Sequence, residues 1–558
     1  MMTNVMKKMM TVAAAVLVAV SVSGQSFETA TEAVKHMGVG WNLGNTLDAH
    51  AGGQHQGLDS EIYWGQPYTK PELMTMLKAA GFGAMRIPVT WYNHMNAQNQ
   101  VDAAWMARVK QVVDYVLDAG MYCILNVHHD TGDGNTHWLH ASMDTYNSTK
   151  ARYEALWQQV AETFKDYDQR LLFESYNEML DKYNSWNFAT FNRPGGYDSA
   201  DAADAYQAIN SYAQSFVSVV RATGGNNARR NLVVNTYGAC NGAGTWNAHL
   251  KEPLTQMVCP TDPAGSGHIA FQVHAYPNIA NLQSAKNELT QMFNALNTHL
   301  VSKGGPVIVG EWGSSNVDAG VSDYDADREK FLAFVTDFVQ KAKAGGFGMF
   351  YWMGLSDGTD RSLPAFTQPD AAEAMLKAWY GTDYQPVLPT RDDFGTAVYQ
   401  VSYSQLWGEA NVLTGGISTA DCQRLEVELS EAPAAGAFQL KVYDKGVVIP
   451  VTSATTILTF NAATMGATIP RITLQSCVAN GQCSVKEVRL VKNNGTVVKQ
   501  RVSPFWGCTV EETFTSSVQV LPLAVAAADA PCYDLMGRRV LSPVRGLYIR
   551  NGRKVLIR

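Results

Sequence analysis

Charge is scarce in this chain. Only 17% of its 558 residues are Asp, Glu, Lys or Arg, and their formal balance is −7. A phosphate polymer needs a basic face, so the composition argues against a nucleic-acid partner. Cysteine is scarce as well. Eight in this length do not staple the fold in place of a hydrophobic core. Cys240 with Cys259 and Cys477 with Cys483 are the pairings open to it, while Cys123, inside a strand-like run, reads as a buried thiol. Cys-x-x-Cys and His-Glu-x-x-His are both missing, so no metal or other cofactor is expected. The acidic run DYDAD (323–327) has Arg328 where a calcium loop must turn on glycine and Phe334 where it needs a closing glutamate. Long apolar runs are absent too. The longest, residues 9–20, is too short to span a bilayer comfortably, so no membrane span is expected.

What is present is core-forming material: 46% of residues are hydrophobic, with 13 Trp, 24 Tyr and 20 Phe. A chain this long divides into two or three domains. Lys7 and Lys8, the apolar stretch 9–20 and the small residues 21–24 form a secretory signal over residues 1–24, which implies export.

From there apolar β-like segments alternate with helical patterns. Strands are expected at 38–43, 84–87, 122–127, 171–175, 232–235, 269–273, 307–309 and 348–351. Helices are expected at 71–80, 103–119, 203–222 and 325–344, most closed by glycine. Eight such units predict a (β/α)8 barrel over residues 25–383. A doubly wound sheet would need a glycine-rich phosphate turn after its first strand, and GWNLGNT (40–46) does not supply one.

A barrel of this kind works at the C-terminal ends of its strands. The segment LLFESYNEML (171–180) carries Glu178 beyond an apolar run, beside Asn177. GGPVIVGEWGSSN (304–316) repeats the design with Glu311 and Trp312. A glutamate after a strand is more often a helix cap, but two of them suit double-displacement cleavage of a glycosidic bond. Asn42, Arg86, His128, His129, His274, Tyr276 and Trp352 fall at other strand ends. Each alone has a structural explanation; together they mark one rim.

The stations GWNLGNTLDA (40–49), MRIPVTW (85–91), LNVHHD (125–130), FESYNE (173–178), VHAYPN (273–278) and VGEWG (309–313) resemble glycoside hydrolase family 5, the cellulase family. The resemblance implies Glu178 as acid/base and Glu311 as nucleophile. It implies a supporting shell of Arg86, His128, Asn177, His274, Tyr276 and Trp352, with Asn42 and Trp312 beside it and His129 facing substrate. WGQPYT (64–69) further resembles an endoglucanase-type subgroup that includes cellulases, xyloglucanases and lichenases. The implied activity is a secreted retaining endo-β-1,4-glucanase acting on β-glucan as a monomer, with xyloglucanase, lichenase or β-mannanase as alternatives. A non-catalytic glycan-binding protein, which should have lost a glutamate, and a metal-dependent hydrolase using His128, His129 and Asp130 are the other readings.

Glu178 must begin protonated, which the charge of Glu311 favours, while Arg86 and Tyr276 are expected to hold Glu311 ionised and Asn177 to meet the sugar 2-hydroxyl. Trp64, Trp91, Trp138, Trp186 and Trp246 are candidate stacking platforms. The segment 181–198 is expected to set substrate choice.

A proline-bearing linker is read at 384–389. Residues 390–520 turn to short β-like runs of sandwich type, either carbohydrate-binding or a spacer. A second linker at 521–531 leads to a small β tail at 532–558. Its YDLMGRRV, GLYI and KVLI stations resemble the sorting tail of the type IX secretion pathway in Bacteroidetes, which implies a secreted or cell-surface protein.

Overall fold

The computed structural model describes residues 27–51, 57–132, 137–316, 328–352, 354–414, 417–443, 446–451, 456–462, 467–469 and 471–514, together with four short strands beyond 531. The signal segment, the DYDAD run and the linker at 521–531 lie outside the described residues. The chain divides into two compact units, one built from Met1–Ser362 with Asp370–Pro386 and the other from Leu363–Pro369 with Val387–Arg558.

In the first unit β1 (Val39–Asn42), β2 (Ala84–Ile87), β3 (Tyr122–Asn126), β4 (Leu171–Glu174), β5 (Leu232–Asn235), β6 (Ile269–Ala275), β7 (Val307–Trp312) and β8 (Gly348–Tyr351) pair in parallel, and β8 returns to β1. The barrel is closed, as the alternation of segments predicts. Pro71–Ala80 carries proline in its first turn and stops at Gly81, whose φ of 123° suits glycine. Ser199–Ala222 begins four residues before its expected start, because the Asp198 carboxylate caps the N–H groups of Ala200 and Asp201.

Strand pleating sends alternate residues into the barrel. At its lower end Ala84, Ile124, Leu172, Val233, Ala270, Ile308 and Phe350 form one apolar layer. The helix Ala30–Met37 lays Ala30, Ala33, Val34 and Met37 against it. Each large member contributes about 1.5–3 kcal/mol by burial. The eighth place belongs to Gly40, where a Cβ would meet the Phe350 ring at 2.6 Å. This end is plugged, so chemistry is confined to the other.

The second unit is built chiefly on two large antiparallel sheets. Five strands run in the order Val447–Pro450, Phe438–Val442, Ile472–Ser476, Glu409–Leu413, Ser503–Trp506. The other sheet runs Ile457–Asn461, Cys422–Leu429, Gln482–Lys492, Ala397–Tyr403, Cys508–Phe514, with Val497–Gln500 paired to its long third strand. One core draws on both, including Ala410, Val412, Leu425, Val427, Leu440 and Leu474. This is the predicted sandwich. The short strands Cys532–Tyr533, Arg539–Val540, Gly546–Arg550 and Arg553–Ile557 make a further antiparallel sheet.

The cysteine pairings are corrected. Cys240, Cys259, Cys477 and Cys483 are all free thiols, as is the buried Cys123. The burial that a bridge would supplement is already supplied by the two cores.

Candidate active site

Two residues further along each strand the inner face changes from apolar to polar, placing Asn42, Arg86, Asn126, Glu174, Asn235 and Gln272 in one layer, every one fully buried. Arg86 stands at its centre and spends all five N–H donors there. Nε donates to Glu174 Oε2 at 2.7 Å and Nη2 to Glu174 Oε1 at 2.8 Å. Nη2 also donates to Asn177 Oδ1 at 2.8 Å, and Nη1 to Asn42 Oδ1 at 3.0 Å and Glu311 Oε1 at 2.8 Å. Burial works against the Glu174 charge, yet the guanidinium and the Asn126 amide hold its carboxyl below the usual range. Glu174, Asn126 and Asn235 were not anticipated. The signal was Glu174 itself, a charge inside an otherwise apolar strand, which a buried cation must answer.

Glu311 reaches this layer through a break in the pleat. Val273 lies opposite Val309 but His274 lies opposite Glu311, so Gly310 is an extra residue in β7. Strict alternation would turn Glu311 away from the barrel; the bulge turns it inward. A Cβ on Gly310 would meet the Gln272 amide at 2.2 Å, so any other residue there would have to displace that buried side chain. The same step sends Trp312 outward. Its indole is fully buried and stacks on Phe338 of the helix Arg328–Gly345, centroids 4.0 Å apart. Trp312 therefore packs strand against helix, in a supporting position.

Tyr276 donates its hydroxyl proton to Glu311 Oε2 at 2.8 Å. Burial raises the Glu311 carboxyl above its usual range; His274 and Arg86 pull it back, and Glu178 adds to the rise. His274 stands between the two acids, with Nδ1 2.6 Å from Glu178 Oε1 and 3.4 Å from Glu311 Oε2. Oxygens of Glu178 and Glu311 and a His274 ring nitrogen all lie within 4.8 Å of one another. Asn177 is nearly buried, whereas the Glu178 side chain is 23% exposed.

His128 lies below the rim. Its Nδ1 is 3.1 Å from the Asn126 amide nitrogen, its Nε2 is 3.9 Å from Glu311, and its ring is parallel to Trp352 at 5.6 Å. Burial holds it neutral, well below the usual imidazole range. His129 is outermost, 3.6 Å from Asp48 and edge-on to Trp64 at 5.2 Å.

The proposed His128, His129, Asp130 trio is not assembled. Asp130 is turned away, accepting from the Trp91 N–H and from Trp138 Nε1, and burial lifts its carboxyl to about 6. Asp48 instead brings its oxygen within 4.8 Å of ring nitrogens of His128 and His129; that trio and Glu178, His274, Glu311 are the groups whose atoms converge enough to hold a cation among the described residues.

Beside Glu178 a cavity of about 670 Å³ opens, lined by Trp186, Trp246, Cys240, His274 and Tyr276 among others. Trp91 is fully buried, its indole N–H donating to the Asn126 carbonyl, and is no platform. The segment 181–198 is held by Asp181, whose carboxylate accepts from the N–H groups of Tyr183, Ser185 and Thr190.

The family described as cellulase (glycosyl hydrolase family 5) matches residues 46–357. A broad-specificity endoglucanase from an uncultured bacterium is 57% identical, with 64% of this chain and 98% of that one covered and a TM-score of 0.63. A glycoside hydrolase family 5 enzyme of Prevotella bryantii B14, solved with a xyloglucan tetradecasaccharide, is 43% identical over 63% of this chain and 99% of that one, with a TM-score of 0.56. Endoglucanase B of Ruminococcus albus is 35% identical over 302 residues, 52% of this chain. The chain spans 46% and 66% of the length of the first two curated relatives it matches.

Proposed function

Because this chain belongs to the cellulase family, glycosyl hydrolase family 5, we propose that it is an endo-acting β-1,4-glucanase that cleaves cellulose or mixed-linkage β-glucan with retention of configuration. The observation that carries the reading is the carboxylate pair, whose oxygens approach within 4.8 Å. Double displacement uses carboxyl groups about 5–5.5 Å apart, whereas an inverting water needs about 6.5–9.5 Å.

Glu178, at the edge of the cavity, is the acid/base and Glu311 the nucleophile. Glu178 gives its proton to the glycosidic oxygen as a Glu311 oxygen attacks the anomeric carbon. The carbon–oxygen bond to the leaving chain breaks, and that chain departs as an alcohol. Glu178, now a carboxylate, takes a proton from water, and the oxygen so activated displaces Glu311. Arg86 and Tyr276 each hold one oxygen of Glu311 and disperse its charge. The Asn177 Oδ1 is occupied by Arg86, which leaves its NH2 group to donate to the 2-hydroxyl, where a hydrogen bond strengthens at the transition state. The His274 Nδ1–H faces both acids and stabilises whichever carries the charge. A glycan-binding protein without activity would have no use for a second carboxylate gripped this way.

A second reading, cleavage of the xyloglucan backbone, is favoured by the Prevotella bryantii relative and by a cavity roomy enough for branches. The basic start and apolar stretch of residues 1–24 support export, and the YDLMGRRV tail supports sorting to the cell surface. Among the described residues no helix is long and apolar enough to cross a membrane.

The test is purified protein on carboxymethylcellulose, barley β-glucan, xyloglucan, xylan and mannan, with products sized. The expected result is a fast fall in chain length on β-glucan, and a loss of ~10³-fold or more in kcat for Glu178→Gln or Glu311→Gln. Either variant keeping more than a few per cent of activity would overturn the assignment.

A further inference from the structure

The five-stranded sheet of the second unit has an outer face that does not look like a solvent face. Along its strands Ala410, Val412, Leu440, Ile472 and Leu474 point into the core. The alternating residues Glu409, Asn411, Lys441, Thr473 and Gln475 therefore point away from it. Outward residues are ordinarily wet, yet Glu409 is 5% exposed, Asn411 8%, Gln475 6% and Thr473 not at all. They form one network. Glu409 accepts from Lys441 at 2.6 Å, from Thr473 at 2.9 Å and from Gln475 at 2.9 Å, which neutralises the carboxylate and fixes its direction.

Over this polar floor lie aromatic rings. Tyr443 and Phe505 meet edge to face at 5.6 Å, and the Arg471 guanidinium lies 4.0 Å above Phe505. Trp506, paired directly with Glu409 across the ladder, is about half exposed, and so is Trp407, two residues before Glu409. Trp407 takes a φ of 66°, a left-handed conformation that is unfavourable for a residue with a side chain. It is held there by its N–H bond to the Ser476 carbonyl at 3.0 Å. A strained, solvent-facing indole is not explained by packing.

Two buried polar atoms on this face are unfilled. Asn411 donates through Nδ2 to Ser503 and to the Pro504 carbonyl, but among the described residues its Oδ1 has no partner, and neither has Arg471 Nε. One is an acceptor and one a donor. A pyranose offers hydroxyl groups and apolar C–H faces, and the latter suit exposed indoles.

We propose that this face, with the exposed indoles of Trp407 and Trp506 as its contacts, is a second binding site for a neutral β-glucan chain, separate from the cleavage site. The choice of β-glucan rests on the glucanase reading above; the presence of a sugar site rests on the face itself. Its effect would be to hold the enzyme on insoluble polymer, while short soluble substrate, which needs only the barrel, is cleaved as before.

The test is the full chain carrying Glu311→Gln, run by affinity electrophoresis in gels with barley β-glucan and assayed for retention on insoluble cellulose. Trp506→Ala and Trp407→Ala are added singly, with melting temperature recorded for each. The expected result is at least fivefold weaker retention in both variants at unchanged melting temperature. In the Glu311 background of the wild type, the same substitutions should leave cleavage of soluble oligosaccharides unchanged. Equal retention with and without the indoles would overturn the proposal, as would an equal loss on soluble and insoluble substrate. Retention by an acidic polysaccharide and not by β-glucan would overturn the neutral-chain assignment. Because binding is read without hydrolysis, failure of the glucanase reading and failure of this one are distinguishable.

Discussion

Arg86 grips Glu174 with two nitrogens, at 2.7 and 2.8 Å, and reaches Glu311 with only one, at 2.8 Å. The guanidinium is thus aimed at Glu311 by a second, deeper carboxylate. Its fork geometry is used on Glu174, and its charge is divided between the two acids.

This division predicts opposite pH shifts for two substitutions. Arg86→Ala removes the cation that pulls Glu311 back against burial, so the Glu311 carboxyl should rise further and the acidic limb of kcat/KM should move to higher pH. Arg86→Lys should restore only part of the position, because an ammonium cannot make the planar fork. An unshifted acidic limb with full activity would show that Arg86 is ordinary barrel structure.

Glu174→Gln should act the other way. With Glu174 neutral, the whole charge of Arg86 falls on Glu311, and the acidic limb should move to lower pH. The cost appears in folding: breaking a buried pair while leaving its partner is worth ~3 kcal/mol. In the wild type the Glu174 carboxyl is held below its unfolded value. Its contribution is therefore present above the ordinary glutamate range and lost as pH falls through the lowered value. Denaturant titrations of both proteins at several pH values should show the gap closing in acid.

The two tryptophans Trp312 and Trp246 should separate stability from binding. Trp312 is buried against Phe338, so Trp312→Ala should lower stability by ~3–5 kcal/mol, and the folded fraction should keep its KM. Trp246 is 60% exposed on the cavity beside Glu178, so Trp246→Ala should leave stability within ~0.5 kcal/mol and raise KM for longer oligosaccharides. Calorimetry with steady-state kinetics on a chain-length series reads both.

Much of this site was legible because strand ends in a barrel converge, so residues distant in sequence need only share a strand-end position. Glu178, Glu311, Arg86, His274 and Tyr276 were found that way. Glu174 was hidden by its context: within LLFES it reads as part of an apolar run, and only the closed barrel shows that its face is the interior. The role of Trp312 depended on a bulge at Gly310, and one extra residue reverses which neighbour faces inward. No periodicity in VIVGEW announces that. The outer face of the sandwich was unreadable for a similar reason. Its contacts come from strands far apart in sequence, and from Trp407 in a turn whose left-handed conformation the chain gives no hint of.

The central claim is double displacement by Glu178 and Glu311, and the most direct measurement is proton NMR of the first sugar released from a soluble β-glucan oligosaccharide, read before mutarotation. The account predicts that the β-anomer appears first, with the α-anomer growing in later. Initial release of the α-anomer would mean single displacement by water and would contradict the account.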